Sequence, residues 1–260
     1  MSINQITVQT ILDWLDQAAP FESQEEFDNA GLQIGFGEMP VSTALVSLDV
    51  TEDVIFEAAA LKANLIIAHH PLLFLPQRDL NLSRYVPRLA ALMIQHNIAL
   101  IAAHTNIDQS LRYSASFALA ELLNLMKIRQ QGKYLFIGDL TQPMQDEKLC
   151  QLISQTIKAP VRQYGQGKML ITNLAIAGGA FSEGFEEANM AGAQALLTGE
   201  VRHHHAVEAA SMGMVLFDGG HYATEVPMLL PLAVGLQTAL NTVKYPLQVH
   251  VTRCIPYRLQ

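Results

Sequence analysis

Two α/β lobes, each a mostly parallel sheet covered by helices, are predicted by three features of the sequence. Short apolar runs such as NLIIA, ALIAA and MVLFD are bounded by polar or turn residues, the pattern of strands buried on both faces. Segments of helical period lie between them, and such alternation with short crossovers implies parallel strands under a helical cover. The rhythm then pauses at the charged stretch RQQGK and restarts near Lys133, which favours two lobes with a boundary there.

Taken in order, Ile6, Val8, Ile11, Leu12 and Leu15 suit one face of a first helix. TALVSLDV is a strand, and TEDVIFEAAALKA a helix opened by a capping Thr51. NLIIA is a strand, YVPRLAALMIQHN a helix, ALIAA a strand and SASFALAELLNLM a helix. Past the boundary, KYLFIGDL precedes the helix DEKLCQLISQTI, the strand ITNLAIAG and a helix SEGFEEANMA capped by Ser182. AQALLTG and MGMVLFD are strands flanking the helical HHHAVEAAS. The chain ends on the helix VPMLLPLAVGLQTAL and the strand LQVHVTR. No short repeat, heptad pattern or low-complexity tract is evident.

Composition narrows the functional classes. A chain of 260 residues, half apolar and 15% charged, is neither disordered nor fibrous. Its net charge of −8 argues against a general nucleic-acid binder, although a nucleotide held locally by a metal is compatible with it. Cys150 and Cys254 are far apart and form no CxxC pair, so a reducing compartment fits better than a disulfide framework. The N-terminus lacks the basic start and apolar core of a signal peptide. VPMLLPLAVGLQTAL, with Pro227 and Pro231, is too short to span a bilayer. The expectation is a cytoplasmic protein with no membrane partner.

Chemistry concentrates where predicted strands end. IIAHHPLLF carries His69 and His70, IAAHTNID carries His104 and Asp108, and LFDGGHYATE carries His221 and Glu225. In open α/β sheets the carboxyl ends of strands line the binding crevice. His69 and His70 are adjacent, so in extended chain they point opposite ways and suit two neighbouring ions better than one. Pro71 keeps His70 out of the helical region. His221 and Glu225, at i, i+4, would project from one face of a helical first turn, where the carboxylate can bridge two cations. Asp108 supplies an anionic oxygen, and His104 is a ligand, a supporting donor or a general acid/base.

Each stretch also has a bland reading. One histidine of the pair can be a core imidazole bonded to backbone, Asp108 a helix cap, and Glu225 a carboxylate favoured at a helix N-terminus. Together, four imidazoles and two carboxylates at one sheet edge suit zinc, iron or manganese and point to hydrolytic chemistry. The run His203, His204 and His205 cannot aim three rings at one ion. Glu200 and His204, at i, i+4, are its best candidates for substrate contact or proton transfer. IAGGAFSEG, with Gly178, Gly179 and Gly184, could cradle an anion but serves equally for tight strand–helix packing. FDNAGLQIG, with Asp28, Asn29, Gly31 and Gly35, reads as a turn that could close over the cleft.

The stretches DNAGLQIG, SLDVT, IIAHHPLLF, AAHTNID, LLTGEVRHH and GGHYATE, in this order, closely resemble the GTP cyclohydrolase I type 2 homologues, also called NGG-one-interacting-factor-three-like dinuclear-metal proteins. The match runs from about Phe27 to Glu225. The resemblance implies two divalent ions per chain, with His69, His70, Asp108, His221 and Glu225 as ligands and Glu225 as the bridge. His104 falls close to the metals but outside that set. It also implies that the last helix and strand return to the first lobe, so that this lobe comprises 1–130 plus about 220–260, with the metal site at the lobe interface. The assembly implied is a toroidal homohexamer. The activity attached to the family is water attack on a purine nucleotide such as GTP, opening the imidazole ring and releasing formate. His104, with Glu200 or His204 as substitutes, would move the protons. Two other functions remain open: a metal-dependent hydrolase of phosphoesters or damaged metabolites, and a non-catalytic metal-binding hexamer that acts as a scaffold.

Overall fold

A computed structural model describes residues 5–240 and 247–257. Along the chain come α1 (Val8–Ala18), β1 (Gly31–Ile34), β2 (Thr43–Ser47), α2 (Glu52–Ala60), β3 (Leu65–Ala68), α3 (Tyr85–Gln95), β4 (Ala99–Ala102) and α4 (Ala115–Leu122). There follow β5 (Met126–Gln131), β6 (Leu135–Gln145), α5 (Asp146–Ile157), β7 (Arg162–Tyr164), β8 (Leu170–Ile176), α6 (Phe185–Met190), β9 (Ala195–Thr198) and α7 (His203–Ser211). The last are β10 (Val215–Asp218), α8 (His221–Glu225), α9 (Leu229–Leu240) and β11 (Gln248–Val251). Two compact units result: Met1–Ile107 with Leu229–Gln260, and Asp108–Met228.

In the first unit the strand order is β1-β4-β3-β2-β11. β4, β3, β2 and β11 run parallel, and β1 adds an antiparallel edge. The inner strands β2, β3 and β4 are buried at every position, as expected of a sheet covered on both faces. Leu45, Ile66 and Leu100 pack with Val54, Ile55 and Ala58 of α2 and Leu89 and Met93 of α3. α9 packs on β2 and β11. The Thr51 side chain accepts a hydrogen bond from Val54 N at 3.3 Å, and Glu52 and Asp53 follow in the first turn, where carboxylates favour the helix dipole.

The second unit has strand order β5-β6-β8-β9-β10-β7. Its two faces are visible in consecutive residues. Leu174, Ile176, Leu197 and Phe217 join one core with Leu119 of α4 and Leu149 and Ile153 of α5, whereas Ala175, Leu196 and Leu216 join the other with Phe185, Ala188 and Ala209. The fold class is α/β with two helix-flanked sheets, but this second sheet is mixed. β5–β6, β6–β8 and β7–β10 pair antiparallel, and only β8–β9 and β9–β10 are parallel.

Four expectations change. RQQGK is the end of a hairpin rather than a lobe boundary, with Gly132 turning at φ +57° between β5 and β6. The units instead part after Ile107, because α4 packs its Leu119, Ala120 and neighbouring Leu123 into the second unit's core. The chain re-enters the first unit at Leu229 rather than about 220, which leaves His221 and Glu225 in the second unit. Ser182 does not cap: a 3-10 turn covers Ser182–Gly184, α6 starts at Phe185, and the Ser182 hydroxyl pairs with His205 Nδ1 at 2.9 Å. Among the described residues, His221–Leu240 is long and apolar enough to cross a membrane by composition. It contains a 3-10 turn at Val226–Met228, and its Leu229, Leu232 and Leu236 are buried in the protein.

Candidate metal centre

In the first unit, parallel pairing places the carboxyl ends of β2, β3 and β4 along one edge, and each delivers a side chain just beyond its last residue. β2 delivers Asp49, β3 delivers His69 and His70, and β4 delivers His104. The three imidazoles cluster, with ring centroids 4.8 Å apart for His69–His70, 5.1 Å for His69–His104 and 5.6 Å for His70–His104. One nitrogen from each lies within 4.8 Å of the others, close enough to hold a metal ion.

The hydrogen bonds fix which nitrogen that is. His69 Nδ1 lies 2.9 Å from Ala103 O, His70 Nδ1 2.9 Å from Asp49 Oδ1, and His104 Nδ1 2.8 Å from Asp28 Oδ1. A carbonyl or carboxylate can only accept, so in the neutral ring each Nδ1 carries the hydrogen and each Nε2 presents a lone pair. Oxygen anchoring of the distal ring nitrogen is the usual support of a metal-bound histidine.

Asp28 is more than a turn residue. Its side chain is fully enclosed, and it also takes hydrogen bonds from Thr105 N at 2.9 Å and from the Thr105 hydroxyl. Burial alone would raise its pKa, but the hydrogen bonds from His104 and Thr105 hold it well below the usual carboxylate range. Asn106 completes the brace, accepting from His104 N at 3.0 Å and donating to Ala19 O at 2.8 Å. FDNAGLQIG thus divides: GLQI is an edge strand paired with β4, and the residues before it hold His104.

The second unit carries its own group. Gly220, at φ +80°, turns the chain from β10 into α8, whose single turn sets His221 Nε2 3.2 Å from the buried Glu225 Oε1. His221 Nδ1 is 2.7 Å from Glu200 Oε1, the same anchoring again. Glu200 precedes α7 by three residues, so the expected helical i, i+4 pairing with His204 does not form. His204 and His203 are exposed, and His205 is buried against Ser182. Asp108 is half-buried in the 3-10 turn Ile107–Gln109 at the start of this unit.

Glycines around this group are explained by crowding rather than by an anion cradle. A Cβ on Gly179, already at φ +68°, would collide with Glu225 Oε1, and one on Gly199 would meet Thr224 Oγ1 at 2.7 Å and His221 Cα at 2.8 Å. Three supporting carboxylates, Asp28, Asp49 and Glu200, thus stand behind the histidines. Asp49 escaped the sequence reading although it sits at a strand end as the histidines do.

The donor set is therefore borderline nitrogen with hard oxygen, and this fits a divalent zinc, iron or manganese ion. An α/β protein with imidazoles gathered at its strand ends, each braced through Nδ1 by an oxygen, has the makings of a metal-binding protein. The chain belongs to the Duf34/NIF3 (NGG1p interacting factor 3) family, whose profile matches residues 6–256. It is 29% identical to a GTP cyclohydrolase 1 type 2 homolog of Clostridium acetobutylicum, over 98% of this chain and 99% of that one. It is 30% identical to the GTP cyclohydrolase 1 type 2 of Helicobacter pylori, over 93% and 98%. A solved structure of a hypothetical protein from Staphylococcus aureus superposes with a TM-score of 0.92 at 26% identity, covering 99% of this chain and all of the other.

Proposed function

We propose that this chain is a hydrolase dependent on two divalent cations, zinc, iron or manganese, held by His69, His70, Asp108, His221 and Glu225. The observation that carries the reading is the common anchoring of four imidazoles through Nδ1 by an oxygen, three of them gathered at one sheet edge, the usual support of metal-bound histidines. Two bound cations would lower the pKa of a water molecule and offset developing negative charge on a substrate. The chain's own residues supply the rest. Asp28 holds His104 in the tautomer whose Nε2 accepts a proton, so His104 is the general acid/base of this reading. Glu200, by the same logic, orients His221.

A purine nucleotide such as GTP is the substrate in this proposal, supported by the name of the Helicobacter pylori relative. The working form is a cytoplasmic homohexamer. Its support is the family resemblance, the exposed Leu230 and Val234 on α9, and the two free cysteines suited to a reducing compartment.

The test couples elemental analysis to turnover of a nucleotide panel by one preparation. Close to two ions per chain, with metal-dependent consumption of GTP, is the expected outcome. Glu225→Ala should lose metal and turnover while keeping its far-UV spectrum, whereas His104→Ala should keep metal and lose turnover. Two ions without turnover of any nucleotide would move the reading to phosphoesters, damaged metabolites or a metal-binding scaffold. No ion after reconstitution would end it.

A further inference from the structure

Next to the histidine cluster of the first unit lies a cavity of about 750 Å³, within the range of about 300–1,000 Å³ typical of small-molecule sites. Its aromatic wall is Phe27 and Phe74, whose rings meet edge to face with centroids 6.3 Å apart. Phe27 is 65% exposed and Phe74 40%, a large aromatic surface left open to solvent. Leu80 and Ile94 extend the apolar lining. Phe74 also meets the His104 ring edge to face at 6.2 Å, and Asp28 is both part of the cavity wall and the partner of His104.

Among the described residues the lining contains no Lys, Arg or His and a single charged side chain, Asp28, which is engaged by His104 and Thr105. An anion finds no counter-charge there. The polar groups present are neutral amides. Gln33 is held in one orientation, its Oε1 accepting from Leu73 N at 2.9 Å and its Nε2 donating to Asn29 O at 2.8 Å. That leaves the same amide one N–H to donate and one lone pair to accept.

From this we infer that the Phe27–Phe74 cavity receives the flat, uncharged heteroaromatic ring of the substrate. The ring stacks on Phe27 and Phe74, exchanges a hydrogen bond with the Gln33 amide, and lies beside His104. The assignment deepens the hydrolase reading and rests on it only for the word substrate; the ring-binding site stands on the cavity itself. Any phosphate on the ligand would lie outside this cavity.

The test is isothermal titration of the full chain with guanosine and adenosine, with ribose 5-phosphate as a probe that has a phosphate but no aromatic ring. Metal-loaded and chelator-treated protein are compared. At least one nucleoside should bind both forms, and ribose 5-phosphate should not bind the chelated form. Phe27→Ala and Phe74→Ala should each weaken nucleoside binding about tenfold, the scale of one base–aromatic stack, and Phe74→Tyr should restore it. Both residues are exposed, so an unchanged Tm is expected of each variant and verifies that the loss is local.

Absence of binding by both nucleosides in both forms overturns the inference, as does binding indifferent to both alanine variants. Nucleoside binding that needs metal and ignores the phenylalanines leaves the metal centre standing and removes this site. Phenylalanine-dependent binding in protein that takes up no metal does the reverse. Were the alanine variants to alter the oligomeric state by light scattering and leave nucleoside affinity intact, the cavity would be a contact between copies and the inference would fail.

Discussion

At the scale of single residues, the candidate centre depends on groups behind the histidines. His70 is aimed by Asp49, so Asp49→Ala frees its ring to rotate and to change tautomer. The expected cost is about ten- to a hundredfold in metal affinity, read by competition with a chelator, with little change in fold. Unchanged affinity would show that Asp49 does not aim a ligand. Gly179 tests the second unit in the same way. Gly179→Ala places a methyl group on the Glu225 carboxylate and adds the strain of a positive φ, so it should displace Glu225 and lower metal content. It should also cost about 1–3 kcal/mol of stability by thermal melting. The histidines were legible because imidazoles at strand ends are rare and chemically specific. Asp28 and Asp49 were not, because a carboxylate in a loop is common, and only the third dimension shows that Asp28 reaches His104 across 76 positions of sequence.

Among the elements, the contact between α2 and the chain after β11 is electrostatic as well as apolar. The Glu57 carboxylate accepts from the Thr252 hydroxyl and from Arg253 N at 3.1 Å, and Cys254 Sγ lies 3.4 Å away. Desolvation would raise its pKa, but these hydrogen bonds prevail and lower it. A depressed carboxylate stabilises the fold above its unfolded pKa, and that contribution fades as pH falls through the folded value. Glu57→Gln should therefore cost most at neutral pH, about 1 kcal/mol after allowance for partial exposure, and the gap to wild type should close in acid below about pH 4. A gap constant with pH would remove the charge from the explanation. Elements with strong periodicity, such as α2, β3 and β4, could be read directly from sequence. The edge strands β1, β5 and β7 could not, since none of their residues is buried and the alternation in GLQI and MKIR covers only two apolar residues each. Their pairings β5–β6 and β7–β10 are two of the three antiparallel ones that make the second sheet mixed, so missing them made that sheet look parallel.

For the whole molecule, the two units differ in how the chain builds them. The second is one continuous segment, Asp108–Met228, with a sheet covered by apolar clusters on both faces. The first is closed only when α9 and β11 arrive from beyond Leu229. Until then β2 is an unpaired edge of buried residues: β11 pairs with it in register from Thr43 to Val46, and its hydrogen bonds have no substitute in 1–107. Such an edge, apolar throughout, invites intermolecular pairing. A fragment of residues 108–228 should therefore fold alone and melt cooperatively, while residues 1–107 should stay loosely packed or aggregate. Co-expressing 1–107 with 229–260 should recover soluble protein, because it returns the missing strand and helix. Far-UV dichroism and light scattering on the separate fragments decide the matter. A cooperative melt of 1–107 alone would mean that β11 is an accessory to the first sheet rather than the strand that completes it.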